Sequence, residues 1–258
     1  MGKRIAVVTG ASSGLGKEWV KILVNEDVDE VWAVARRKEL LDELAKVYPN
    51  KVVPISLDLS KEESLDALEA KWSALDVDIV WMINNAGMGK TCAMNHETIE
   101  NIRSSIHLNV EAVATLSYYA LRHMHAGSHL INTGSQAGRQ PLPYLAVYAA
   151  GKAFVNSWSA ALHYEYKKKG IHVMAVTPYW IKTDMLKDFD NGRNYKWDKM
   201  TSTKEEVVAR AYKDAKKKKV YSINRFMVRS LVRIQKIIPE RTSMRIWMKQ
   251  AKKMCEVD

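Results

Sequence analysis

Cysteine is almost missing from this chain. Cys92 and Cys255 are the only two in 258 residues, far apart and with no metal-ligand spacing around either. A disulfide framework is therefore not expected, and the two thiols point to a reducing compartment. No apolar run approaches the ~20 residues that a membrane-spanning helix needs. The stretch "MGKRIAVVTG" lacks the apolar core of a secretory leader, and Ala6 stands where myristoylation takes Ser or Thr. Acidic residues follow Cys255 in "CEVD", which prenylation does not use. These absences set the expectation of a cytoplasmic protein. Internal repeats, low-complexity tracts and a splitting linker are missing too, so one domain is expected.

What is present is the composition of an ordinary globular chain, 47% hydrophobic and 27% charged. Acid is scarce in one region only. Residues 204–258 carry 16 Lys and Arg against 6 Asp and Glu, whereas residues 1–203 carry 24 against 23. The body is neutral and the tail is basic. We therefore divide the chain into a near-neutral core, residues 1–203, and a basic helical C-terminal segment, residues 204–258, packed on the same domain.

Short β-rich runs alternate with helical patterns. Residues 4–9, 31–35, 51–56, 79–83, 129–133 and 172–177 read as strands that are apolar on both faces, as in a buried parallel sheet. Helical patterns lie between them near 14–25, 38–47, 61–75, 97–125 and 147–169, the last stopped by "YKKKG". The alternation predicts an α/β fold with a doubly wound parallel sheet, the Rossmann fold. A polar loop is expected over 184–203.

The first strand runs into "TGASSGLGKE", with Gly10, Gly14 and Gly16. A strand, a glycine turn and a helix N-terminus together form a phosphate cradle of backbone amides. The same residues also spell the G-x-S-x-G of a hydrolase elbow. That elbow normally follows several strands, and only nine residues precede Gly10. The second strand ends "AVARRK": Ala35 stands where an acid would hold the ribose of NAD, and Arg36 and Arg37 suit the 2′-phosphate of NADP(H). A solvated basic helix start is the alternative. In "YAAGK", Tyr148 and Lys152 would share one helix face, and the ammonium would favour the phenolate. The residues alone leave open whether this is an acid/base device or an ordinary surface pair. His123, His125 and His129 fall around a predicted helix end at Gly127, with no carboxylate or cysteine to complete a set, so no metal is expected.

Taken together, these residues resemble the short-chain dehydrogenase/reductase family over nearly the whole chain. The shared features are the glycine pattern, "NNAG" at 84–87, "INTGSQAG" at 131–138, Tyr148 thirteen residues after Ser135, Lys152 four later, and Asn109 in "HLNVEA". The resemblance implies catalytic roles for Asn109, Ser135, Tyr148 and Lys152. Ser135 would orient the substrate oxygen and Tyr148 exchange its proton. Lys152 would lower the tyrosine pKa and hold the nicotinamide ribose, and Asn109 would anchor a water. It implies cofactor contacts at Gly10, Ser12, Ser13, Gly14, Leu15, Gly16, Arg36, Arg37, Asp58, Leu59, Asn85, Ala86, Gly87, Pro178 and Thr183, shared with Tyr148 and Lys152. Met88, Leu142, Tyr144, Trp180, Met185 and Leu186 would line the substrate pocket, and Trp197 lies in the same region. Their bulk and apolarity lean towards a steroid-like or acyl substrate, and the tail segment from Tyr221 is similar to reductases of such substrates. Three positions depart from the family pattern: Gly134, Gly151 and Tyr179.

The expected activity is NADP(H)-dependent interconversion of a ketone and a secondary alcohol. A cofactor-binding scaffold or a peripheral membrane protein of the same fold with little turnover is the alternative. Phe154, Trp158 and Leu162 recur at helical spacing on helices too apolar for one buried stripe, so a further partner is needed, and the resemblance implies that it is a second copy, in a homodimer or homotetramer. In the tail, Arg225, Arg229, Arg233 and Lys236, then Arg241, Arg245 and Lys249, form basic stripes beside apolar residues. They suit either an anionic membrane surface or a cover over the sheet edge or pocket with solvated cations. Nucleic acid is not expected, because stacking aromatics are nearly absent there.

Overall fold

The computed structural model describes residues 2–189, 201–235 and 237–254. Trp197, Lys236 and Cys255 lie outside them. The strands are β1 (Lys3–Thr9), β2 (Glu30–Ala35), β3 (Val52–Ser56), β4 (Val77–Asn84), β5 (His129–Thr133), β6 (His172–Val176) and β7 (Tyr221–Ser222). They pair in parallel throughout, in the order β3-β2-β1-β4-β5-β6-β7.

Both faces of the sheet are covered, which is why its strands read as continuous apolar runs. Along β1, Ala6 and Val8 face one layer, and Ile5 and Val7 face the other. The first layer holds α1 (Gly14–Leu23), α2 (Lys38–Val47) and α8 (Lys204–Lys216), through Trp19, Leu41 and Val208. The second holds α3 (Glu62–Ala74), α5 (Ala112–Arg122) and α6 (Ala146–Tyr166), through Leu68, Leu116 and Leu162. Each buried leucine of this kind stabilises the fold by roughly 1.5–3 kcal/mol. The chain builds outwards from β1 to β3 and then returns past β1 to β4. At that reversal the chain leaves the C-terminal ends of β1 and β4 towards opposite faces of the sheet, and a crevice opens between the two loops.

The structure differs from the sequence expectation at two elements. The single helix expected over 97–125 is interrupted: α4 (Ile99–Ile106) and α5 are joined by a π turn at His107–Glu111, which accommodates one extra residue. The segment beyond residue 203 supplies α8 and the seventh strand as well as two later helices, α9 (Phe226–Gln235) and α10 (Glu240–Met254). Between them in the chain, α7 (Met185–Phe189) occupies the start of the expected 184–203 loop.

Candidate active site

The crevice is braced by Thr9. Its Oγ1 accepts from the backbone N–H of Asn85 and of Ala86, both at 2.9 Å, and its carbonyl accepts from Asn85 Nδ2 at 3.1 Å. These bonds tie the end of β1 to the end of β4. Gly10 turns the chain there with φ 66°, and a Cβ on it would meet Asn85 Nδ2 at 2.9 Å. A Cβ on Gly16 would stand 2.2 Å from Gly10 O, so Gly16 serves the packing of α1 on the turn. The N-terminus of α1 has no acid in its first turn and no side-chain cap, which leaves its positive end facing the crevice. The Ser13 hydroxyl turns to Arg37 instead of the helix end: Arg37 Nη2 donates to Ser12 Oγ at 3.0 Å and to Ser13 Oγ at 2.9 Å. With Ser12 held in this way and no imidazole beside it, the hydrolase-elbow alternative fails. Beyond it, Asp58 is held below the usual carboxylate range. Burial alone would raise it, but hydrogen bonds from the Ser60 hydroxyl and N–H and the charges of Arg36 and Lys61 outweigh burial.

One cavity of about 570 Å³ runs from this crevice to the far side of the sheet ends. Every expected cofactor contact lines it except Gly16. Ser135, Tyr148 and Lys152 line its middle. Ser135 follows β5, and its hydroxyl is the hydrogen-bond partner of Tyr148 while accepting from Ala137 N at 3.1 Å. Lys152 is buried and donates one of its three N–H bonds to Thr133 O at 2.7 Å. Asn109 lies behind them and does not line the cavity. Its side chain pairs with the backbone of Met88, donating to Met88 O at 2.8 Å and accepting from Met88 N at 3.1 Å, and also donates to Ser105 Oγ.

The electrostatics correct one expectation. Burial pushes the Tyr148 phenol up to about 12, partly offset by its hydrogen bond with Ser135. Burial outweighs the help expected from Lys152, whose Nζ is turned to Thr133 and lies 5.6 Å from the Tyr148 ring centre, and burial brings the ammonium's own pKa down to about 8. At neutral pH, Tyr148 is a neutral phenol able to give a proton, beside a buried ammonium.

Leu142, Trp180, Met185 and Leu186 line the far end of the cavity as expected. Met88 and Tyr144 do not. They line a separate space of about 110 Å³ behind Tyr148. The Asn109 pairing turns Met88 away, and Tyr144 sits at φ 64° with its carbonyl accepting from Cys92 N. Their place is taken by Phe189, edge-on to Tyr148 at 5.2 Å, and by Trp247 of α10, stacked on Trp180 at 6.4 Å. Trp247 donates from Nε1 to Pro143 O at 2.7 Å, so the tail helix closes this end.

Asn156, four residues beyond Lys152 on the same face of α6, was also missed; the continued spacing of four was the signal. It donates to Ser135 O at 2.9 Å and clamps that turn. A Cβ on residue 134 would stand 2.0 Å from Asn156 Oδ1, which explains glycine at Gly134. A Cβ on Gly151 would meet only ordinary contacts at 3.4 Å, so the structure does not require glycine there. The three histidines singled out above find separate partners: Glu69, Asp78 and His172.

Residues 4–194 match the short chain dehydrogenase family. The chain is a short-chain dehydrogenase/reductase. Within this oxidoreductase family, whose members bind a nicotinamide cofactor, it is 30% identical to the 17-beta-hydroxysteroid dehydrogenase type 3 of Rattus norvegicus over 216 residues. That match covers 81% of this chain and 68% of the relative. It is 33% identical to the very-long-chain 3-oxoacyl-CoA reductase of Anas platyrhynchos over 193 residues, 70% of this chain and 61% of the relative. Among solved structures, a short-chain dehydrogenase from Sphingobium yanoikuyae in complex with NADPH superposes with a TM-score of 0.75 at 26% identity, covering 87% of this chain and 88% of that one.

Proposed function

We propose that this short-chain dehydrogenase/reductase is an NADP(H)-dependent enzyme that interconverts a ketone and a secondary alcohol on an apolar, hydroxysteroid-like or 3-oxoacyl-like substrate. The observation that carries the reading is the meeting of Ser135, Tyr148 and Lys152 midway along one cavity, between a glycine-lined crevice and an apolar end. The crevice fits a dinucleotide: Gly10 leaves room for backbone approach, the α1 N-terminus is uncompensated, and Arg37 with Ser12 and Ser13 groups hydrogen-bonding side chains for a phosphate. Gly10, Ser12, Ser13, Arg37, Asn85 and Thr183 would hold the cofactor, which supplies the hydride when bound.

The chain's own residues do the rest. The Ser135 hydroxyl orients the substrate oxygen, and Tyr148 gives that oxygen its proton during reduction or takes one during oxidation. Lys152 has N–H donors beyond the one on Thr133 and would hold ribose hydroxyls beside the phenol. The apolar walls of Leu142, Trp180, Phe189 and Trp247 select a bulky substrate and exclude water. The intact set leaves the scaffold alternative without a supporting observation. We also propose a cytoplasmic setting, on the scarcity of cysteine.

A panel of apolar ketones and alcohols with NADPH, NADH and their oxidised forms tests the assignment. Turnover should appear with bulky apolar ketones and prefer NADPH. Tyr148→Phe should lower it by about 10²-fold or more while NADPH binding stays measurable. Activity of that variant within about tenfold of the parent would overturn the proton-transfer role.

A further inference from the structure

The helices after β7 each bury one face, and the residues they leave exposed are of a particular kind. On α9, Val228 and Val232 are buried, and Phe226, Met227 and Ile234 project from the opposite side, 74%, 65% and 51% exposed. Ile237 follows, 84% exposed, and Ile246 on α10 is 62% exposed. On α10, Trp247 and Ala251 are buried, while Arg241, Arg245 and Lys249 recur every four residues along the exposed side. From Arg225 to Met254 the sequence has nine Lys and Arg and a single acid, Glu240. The tail therefore does close the cavity, through Trp247. That task falls to α10, and the exposed sides of the two helices and the turn between them carry five large apolar side chains, of which Ile246 also borders the cavity.

We propose that this face, Phe226, Met227, Ile234, Ile237 and Ile246 with the Arg241–Arg245–Lys249 stripe, docks on an anionic lipid surface. Apolar side chains sink to the boundary of the acyl chains while arginines and lysines meet lipid phosphates, which needs this mixture and an absence of acid. A second copy of the chain is a poor occupant. A two-fold interface brings the same patch to itself, and here like charges would meet with one acid to offset them. Nucleic acid is poor too, because Phe226 is the one exposed aromatic ring in the described part of 225–254. Docking is peripheral: among the described residues no helix is long and apolar enough to cross a membrane. The face adjoins the cavity, whose lining includes Ile238 and Ile246. Resting on the function proposed above, an apolar ketone then passes from bilayer to cavity without entering water.

Flotation of the full chain with vesicles of phosphatidylcholine alone, or mixed with phosphatidylserine, reads docking independently of turnover. Binding should require phosphatidylserine and weaken from low to physiological salt. R241Q/R245Q/K249Q should weaken it on the order of 10²-fold, and F226S/I237S should weaken it at both salts. No binding to the mixed vesicles at low salt, equal binding to neutral vesicles, or undiminished binding of R241Q/R245Q/K249Q would overturn the proposal. A smaller assembly for F226S/I237S in sedimentation would assign the face to a second copy and overturn it equally. For the substrate route, a ketone dissolved in the vesicles should turn over faster in mixed than in neutral ones. R241Q/R245Q/K249Q should lose that gain and keep its rate on a water-soluble ketone; the same rate in both vesicles overturns the route and leaves docking standing on flotation.

Discussion

Arg36 and Arg37 are neighbours in sequence and meet different chemistry. Arg36 lies close enough to Asp58 to help hold that carboxylate ionised, so part of its charge is already answered. Arg37 reaches back across the crevice to two hydroxyls, and so presents a guanidinium whose position is fixed before any anion arrives. A hydrogen bond to a charged group contributes ~1.5–3 kcal/mol, so Arg37→Ala should weaken NADPH by roughly 10- to 100-fold and NADH by no more than about threefold. Fluorescence titration with the two cofactors decides it, and equal losses would mean that the ribose phosphate sits elsewhere. At this scale much of the site was legible. Helix spacing alone left the Tyr148–Lys152 pair open, and only the family resemblance joined it to Ser135; the structure brings the three side chains to one cavity. Asn156 was readable by the same spacing and was passed over. Met88 was misplaced because its direction depends on Asn109, twenty-one residues away, and not on its neighbours in the chain. No spacing rule links Phe189 or Trp247 to the site, since tertiary packing alone brings α7 and α10 there.

Six of the seven strands were visible as elements, five because burial on both faces gives a near-continuous apolar run, and the edge strand β3, where Pro54 and Ser56 are exposed, through Val52, Val53 and Ile55. The seventh, Tyr221–Ser222, is two residues long, and only its pairing with β6 makes it a strand. The π turn was invisible because a single extra residue carries no composition or turn signal of its own. Pairing between β5 and β6 carries a consequence for stability. At their N-terminal ends His129 Nδ1 and His172 Nδ1 are 3.1 Å apart, and His172 Nε2 lies 2.8 Å from Lys219 O. A carbonyl only accepts, so His172 carries its proton on Nε2 and His129 donates from Nδ1: both rings are neutral. Burial, then the neighbouring His172 and Lys216, bring His129 down to about 3; burial likewise brings His172 down to about 4. In the unfolded chain both titrate near ~6.5. Between those values the unfolded state binds more protons, so stability is complete above the unfolded pKa and falls as the pH drops towards 4. By pH ~4.5 the loss should be on the order of 2 kcal/mol per histidine. Denaturant melts from pH ~6.5 to ~4.5, above the range where most carboxylates titrate, isolate this effect. His129→Phe keeps a ring to stack on Trp81 and should flatten the dependence by about one proton. A stability that does not change across this window would contradict the neutral pair.

The molecule as a whole leaves a second apolar surface, distinct from the tail, on the layer formed by α4, α5 and α6. Leu116 and Ala120 of α5 and Val155 and Leu162 of α6 are buried on the inward side. The outward side carries Tyr118, Phe154 and Tyr164, all exposed, with Phe154 stacked on Trp158 at 5.7 Å, and Ile106 ends α4 nearby in the chain. A helix apolar on both sides satisfies one of them against its own sheet and needs a partner for the other. Unlike the tail, this face is not a run of cations, so a two-fold axis can bring it against itself without concentrating like charge. Short-chain dehydrogenase/reductases are commonly oligomeric, and we propose that this one pairs α5 and α6 with those of a second copy, as a homodimer or as half of a homotetramer. The buried catalytic face of α6 then lies directly behind the interface face, because Tyr148, Lys152 and Asn156 share the helix with Phe154, Trp158 and Tyr164. Pairing would hold α6 from outside while Ser135 and Thr133 hold it from within. Sedimentation at micromolar concentration should show a dimer or larger species. Phe154→Asp places a charge at the proposed seam, so it should shift the population to monomer and lower turnover while the secondary structure stays intact by circular dichroism. A parent protein that sediments as a monomer, or a Phe154→Asp variant with unchanged assembly, would remove this face from consideration as the interface.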